Sequence, residues 1–172
     1  MKEERALRNE LLALLDGGNA HMTFAEVVED FPLDQINTRP PNTPYSFWHF
    51  VEHIRIAQWD ILEFIRNPEH VSPVYPDGYR PSPDAIAGQD QWQQSIESVL
   101  ADLADLRGIV ADPANELLSP LPHAPGYNIF REAVLAADHN AYHVGELAVM
   151  RQVTGLWPDA RPYLTGRPDE GC

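Results

Sequence analysis

The sequence predicts an all-α fold: an antiparallel four-helix bundle with an extra short helix and long Pro-rich loops. Three observations lead there. Four long stretches repeat their apolar residues at three- and four-residue steps. No stretch gives a convincing strand alternation, and most of the 16 prolines fall between the periodic stretches.

From Lys2 to Leu15 the apolar residues Ala6, Leu7, Leu11, Leu14 and Leu15 mark one buried helical face, and Gly17-Gly18 stop it. Thr23-Phe24-Ala25-Glu26 has capping-box spacing ahead of Val27, Val28 and Phe31, so a short second helix ending near Phe31 is expected. Thr43-Pro44 places a capping hydroxyl before a proline, a device that opens a helix, and the pattern stays helical through about Arg66. Ser82-Pro83-Asp84 repeats that device before Ile96, Val99, Leu100, Leu103, Leu106 and Val110, a run that ends before Pro113. Asn128 can cap the last helix, which carries Val134, Leu135, Leu147, Met150 and Val153 and stops at Thr154-Gly155. The connections from Asn67 to Pro81 and from Asp112 to Tyr127 are too long for minimal turns, and loops of that length often shape a site.

A chain of 172 residues suits one domain, expected over residues 1–157, followed by a Pro/Gly-rich tail over 158–172. Twelve Lys and Arg against 26 Asp and Glu give a net charge of −14, which repels phosphate backbones and anionic headgroups and argues against nucleic acid and membrane partners. The single cysteine, Cys172, excludes an intrachain disulfide and a Cys-rich metal cage. The N-terminal run alternates charges with leucines and reads as neither signal peptide nor membrane span. A soluble cytoplasmic protein is expected.

Seven histidines are present: His21, His49, His53, His70, His123, His139 and His143. His139 and His143 lie one turn apart, roughly 6 Å along the axis and 40° around it, so their imidazoles can converge on one ion. They share a stripe with Leu135, Leu147 and Met150 that is expected to face the interior. On the preceding long helix His53 joins the stripe of Phe50, Ile54, Ala57, Ile61 and Phe64, whereas His49 is less well placed. A third nitrogen from His53 would complete a three-His set with positions left open, as catalytic sites have. The competing reading is a set of hydrogen-bonded core histidines. His21, His70 and His123 fall in loops and read as solvated. His49-Phe50-Val51-Glu52-His53 also matches the inverted zinc-peptidase pattern H-x-x-E-H, but that reading leaves His139 and His143 without a role.

The stretches WHFVEHIRIAQWDILEF (48–64) and AADHNAYHVGELAVMRQ (136–152) resemble the DinB/YfiT-like family of metal-dependent helix-bundle proteins. His53 matches the family's first ligand, and His139 with His143 match its H-x-x-x-H. The helix order and the long loop between the second and third main helices agree as well. The resemblance implies a bundle holding one divalent ion, nickel or zinc, on three His, often as a homodimer. Similar proteins include bacillithiol S-transferases and a mycothiol-dependent maleylpyruvate isomerase, and others described as hydrolases. It therefore implies a small-molecule substrate and a low-molecular-weight thiol as candidate partner. The name refers to DNA-damage induction, yet the charge of −14 argues against direct DNA binding.

In such a site the ion would lower the pKa of a water or thiol, and the sulfur would come from a cosubstrate. Of the acids beside the ligand candidates, Glu52, Asp138 and Glu146, helical geometry places Glu146 nearest the ligand stripe and makes it the candidate general base; the alternative is a solvent-facing or ligand-supporting carboxylate. Tyr142 reads as a buried packing residue or a hydrogen-bond donor at the rim. The basic residues nearest by sequence are Arg55, Arg131 and Arg151. The alternative to an enzyme is a non-catalytic metal-binding or stress-linked bundle.

Overall fold

The computed structural model describes residues 2–158, and the expected tail, Pro158 apart, lies outside them. The helices are α1 (Lys2–Asp16), α2 (Phe24–Val28), α3 (Phe47–Arg66), α4 (Gln89–Ala111) and α5 (Ile129–Val153). Short 3-10 turns cover Leu33–Gln35 and Asp77–Tyr79. A small antiparallel hairpin, β1 (Pro120–Leu121) with β2 (Ala124–Asn128), precedes α5 and was not expected. Its two-residue and five-residue strands are too short and too rich in Pro and Gly to leave an alternation in the sequence.

Several helix ends follow the local chemistry. Thr23 accepts from Glu26 N at 3.1 Å while the Glu26 carboxylate accepts from Thr23 N at 2.8 Å, the reciprocal box that opens α2. Asn128 caps α5 by accepting from Arg131 N at 2.8 Å. Gly17, Gly18 and Gly155 all have φ near +70 to +80°, the left-handed conformation that ends α1 and α5. The carbonyls at the end of α4 are satisfied from α1, where buried Arg8 donates to Val110 O at 2.8 Å and Asp112 O at 3.0 Å.

Other ends differ from expectation. Helix α2 stops at Val28 rather than near Phe31, because Arg151 of α5 takes the carbonyls of Val27 and Glu29 and Asp30 turns left-handed at φ 49°. Helix α3 opens at Ser46, not at Thr43-Pro44, which instead sits in a turn closed by Thr43 N to Pro40 O. Helix α4 opens at Gly88, not at Ser82, where Ala85 N bonds back to Ser82 O in a turn. Asn37 then clamps Ala87 through both its N–H and its carbonyl, fixing the approach to α4. Proline after Ser or Thr begins a turn as readily as a helix.

Residue pairs fix the helix directions. Glu52 meets Ser95, Gln58 meets Val99 and Arg66 meets Asp105, so α3 and α4 run parallel. His53 meets His143 and Gln58 meets Asn140, so α3 and α5 run antiparallel. The expected antiparallel arrangement therefore fails for α3 and α4. Parallel neighbours need a crossover, which is why residues 67–88 are long.

The apolar core forms two clusters. One gathers Phe47, Phe50 and Ile54 of α3 with Trp92 and Val99 of α4 and Val144 and Leu147 of α5. The other gathers Leu11 and Leu15 with Ile61, Leu62, Leu106, Val110, Ala133 and Ala136. Between them along α3 and α5 lies a buried amide layer, in which Asn140 donates to Gln58 Oε1 and Gln58 donates to Val99 O, each at 2.7 Å. The N-terminal half of the interior face of α5 carries three alanines, Ala133, Ala136 and Ala137, while Leu135 and Val153 of the expected stripe are exposed.

Candidate metal centre

Helices α3 and α5 bring His53, His139 and His143 together at the level of the amide layer. Nε2 of His53 lies 3.1 Å from Nε2 of His143 and 3.1 Å from Nε2 of His139. One nitrogen of each ring falls within 4.8 Å of the others. His143 is buried and the other two are half-buried.

The partners of the opposite ring nitrogens assign the protons. His53 Nδ1 stands 2.8 Å from the Tyr79 carbonyl, which only accepts, so Nδ1 carries the proton. His143 Nδ1 stands 2.6 Å from the Glu146 carboxylate, and it too must donate. The neutral rings then present bare Nε2 lone pairs to each other at 3.1 Å, which is repulsive unless a cation lies among them. Nitrogens about 2.0–2.1 Å from one ion at tetrahedral angles stand roughly 3.3 Å apart, so the spacing fits a shared divalent ion. The Nδ1 of His139 and the Oδ1 of Asn140 are buried without a hydrogen bond of normal geometry, although the amide lies close enough to favour a protonated ring.

Burial pushes all three imidazoles from about 6.5 down to about 4. Neighbouring imidazoles and the Arg80 guanidinium push the same way. The rings are therefore neutral near pH 7, the form that ligates metal.

The crossover between α3 and α4 builds one wall of the site. Asp60, buried on α3, accepts from Tyr79 Oη at 2.6 Å and from His70 Nε2 at 2.7 Å, while the Tyr79 carbonyl holds His53. Burial and Asp60 raise the Tyr79 phenol to about 12, so it stays a donor. Beside it, Arg80 lines a cavity of about 940 Å³ together with the three imidazoles, Tyr45 and Tyr75.

Arg80 carries no signal in the sequence, because it stands 27 residues from the nearest ligand candidate and reaches the site only through the crossover. The three arginines nearest the ligand candidates by sequence serve elsewhere. Arg55 pairs with Glu52, Arg131 pairs with Glu132, and buried Arg151 ties α5 to the α2 segment. His70 is not solvated, its side chain being only 6% exposed. His21 and His123 bond the Met22 and Phe64 carbonyls. Tyr142 is 66% exposed and packs edge-on to His143 with ring centroids 5.0 Å apart, rather than being buried. Asp138 is exposed.

His49 has a separate job. Its Nδ1 is 2.7 Å from Ser46 Oγ and its Nε2 donates to Ser82 O at 3.0 Å, so both nitrogens are engaged in opening α3 and anchoring the crossover. Glu52 is held by Arg55 and Ser95. The H-x-x-E-H pattern thus brings no second ligand to His53.

The sequence profile of the DinB superfamily matches residues 18–147, a span that includes the three clustered histidines and Glu146. No curated protein and no solved structure gave a match.

Proposed function

The chain belongs to the DinB superfamily, and from that premise we propose that it holds one divalent ion, nickel or zinc, on Nε2 of His53, His139 and His143. The observation that carries this reading is the 3.1 Å approach of Nε2 atoms whose rings donate their protons to Tyr79 and Glu146. A three-imidazole set accepts whichever ion is available, so the residues alone do not choose between the two.

We further propose a metal-dependent enzyme, a thiol S-transferase or a hydrolase. An ion on three imidazoles supplies Lewis acidity toward a water or a low-molecular-weight thiol that reaches it. The cavity of about 940 Å³ supports a small-molecule substrate. Glu146 holds the Nδ1 proton of His143 and so orients that ring; with 35% of its side chain exposed, it is also the carboxylate to test as a proton acceptor. Cys172, the only cysteine, lies outside the described residues, and a cosubstrate thiol is the proposed sulfur source.

The architecture that goes with this reading is one domain over 1–157, a four-helix bundle of α1, α3, α4 and α5 with a long crossover. Homodimerisation is supported by exposed Leu135, Tyr142, Val149 and Val153, which share one side of α5. A cytoplasmic setting without nucleic acid or membrane partners is supported by the charge of −14, and among the described residues no helix is long and apolar enough to cross a membrane.

The test is elemental mass spectrometry of untagged protein purified without added metal. Near-stoichiometric nickel or zinc is expected, and protein that stays empty after incubation with Ni²⁺ and Zn²⁺ would end the proposal. Azide titrated into the Ni²⁺-loaded protein then separates an open site, whose visible spectrum shifts, from a closed one, which is the non-catalytic alternative.

A further inference from the structure

The crossover carries a cation, Arg80, into the cavity without an ion pair among the described residues. We propose that Arg80 anchors an anionic substrate, and that this substrate is a small molecule bearing a carboxylate held between the guanidinium and the three-imidazole cluster.

Arg80 sits where such a substrate would meet the imidazoles. Arg80 and all three imidazoles line the same cavity. Its guanidinium carbon sits 4.6 Å from the Tyr45 ring centroid and 5.8 Å from that of Phe50. A guanidinium seated against an aromatic ring keeps its N–H groups for an acceptor, and arginine can grip a carboxylate with two parallel bonds.

Arg80 also differs from most other arginines in its partners. Arg8, Arg55, Arg66, Arg107 and Arg131 each reach a carboxylate. Arg80 makes no hydrogen bond or ion pair among the described residues, in a chain whose acids outnumber its Lys and Arg by 26 to 12. Asp60 and Asp77 also line the cavity, yet Asp60 is committed to Tyr79 and His70 and neither forms an ion pair with Arg80. One half-buried guanidinium beside two carboxylates suits a monoanion better than a phosphate dianion.

Electrostatics favours an anion here as well. Arg80 disfavours positive charge on each of the three imidazoles. A guanidinium and a dication facing one cavity repel, and an anion between them turns that repulsion into two attractions. The inference rests on the proposed metal site only in this last step, since the guanidinium contact can be read with or without an ion.

Isothermal titration of the full chain, metal-loaded and metal-free, with acetate, propionate and benzoate, their amides and inorganic phosphate tests it. At least one carboxylate is expected to bind the wild type tenfold or more tighter than its amide and than phosphate. Arg80→Met should lose that preference and Arg80→Lys retain part of it, with metal content and melting temperature as in the wild type. No preference for any carboxylate over its amide would overturn the proposal, as would Arg80-dependent binding that favours phosphate. A preference that survives Arg80→Met and requires the ion would overturn it while sparing the metal site. An Arg80-dependent preference in a chain that takes up no metal would sustain it and sink the metal site instead.

Discussion

His143 donates its Nδ1 proton to the Glu146 carboxylate 2.6 Å away, one turn further along α5, and that bond decides which nitrogen of the ring faces the cluster. A carboxylate behind a ligating imidazole fixes its tautomer and raises its basicity, and losing such a partner weakens metal affinity by about 10–100-fold. Glu146→Gln is therefore expected to bind Ni²⁺ or Zn²⁺ on the order of tenfold more weakly in a chelator competition, with little change in stability. If Glu146 acts only as a proton acceptor, the variant will keep wild-type metal affinity.

His53→Ala and His139→Ala each remove one of three converging nitrogens and should leave the purified protein with little metal. His49→Ala should keep it. That ring is 1% exposed and joins Ser46 to Ser82, so its loss opens a void and frees two buried bonds. A cost of about 2–3 kcal/mol is expected, a fall of roughly 5–10 °C in melting temperature. Loss of metal in His49→Ala with metal kept in His139→Ala would reverse the assignment.

Asp60 acts on His53 at one remove. It ties down the Tyr79 side chain, whose own carbonyl receives the His53 proton, and it is itself bonded by His70. Asp60→Ala is expected to weaken metal binding about tenfold, because the crossover carbonyl loses its anchor. Tyr79→Phe, which keeps the carbonyl and loses one hydrogen bond, should have the smaller effect. Equal metal affinity in wild type and Asp60→Ala would show that the clamp does not reach the site.

The ligand candidates were legible because helices impose a fixed period: the spacing of His139 and His143, and the place of His53 among Phe50, Ile54 and Ala57, survive whatever the loops do. Caps that rely on a side chain in the first turn were legible too, as at Thr23 and Asn128. The start of α3 was not, because the box partner three residues after Ser46 is an imidazole rather than Glu or Gln. Nor was the parallel course of α3 and α4, since an amphipathic pattern records which face is buried and not which way the helix runs. His70, Tyr79 and Arg80 read as loop residues because only the crossover's path in space sets them against α3.

The depressed imidazoles carry a pH signature in the metal-free protein. His53, His139 and His143 each titrate near 4 in the folded chain, chiefly through burial, against about 6.5 for an ordinary histidine. Between those values the unfolded chain takes up protons that the folded chain refuses, so stability falls as the pH falls. The contribution is complete above about 6.5 and lost as the pH passes down through about 4. Arg80 from the crossover reinforces the depression at all three rings, while Asp138 opposes it at His139 and Glu146 at His53. Urea midpoints of chelator-treated protein should decline from pH 6.5 to 4. The decline should be shallower in His139→Asn, which has one fewer such group. Since other carboxylates titrate in the same range, the difference between the two curves is the readout, and superimposable slopes would mean that the cluster is not held neutral by the fold.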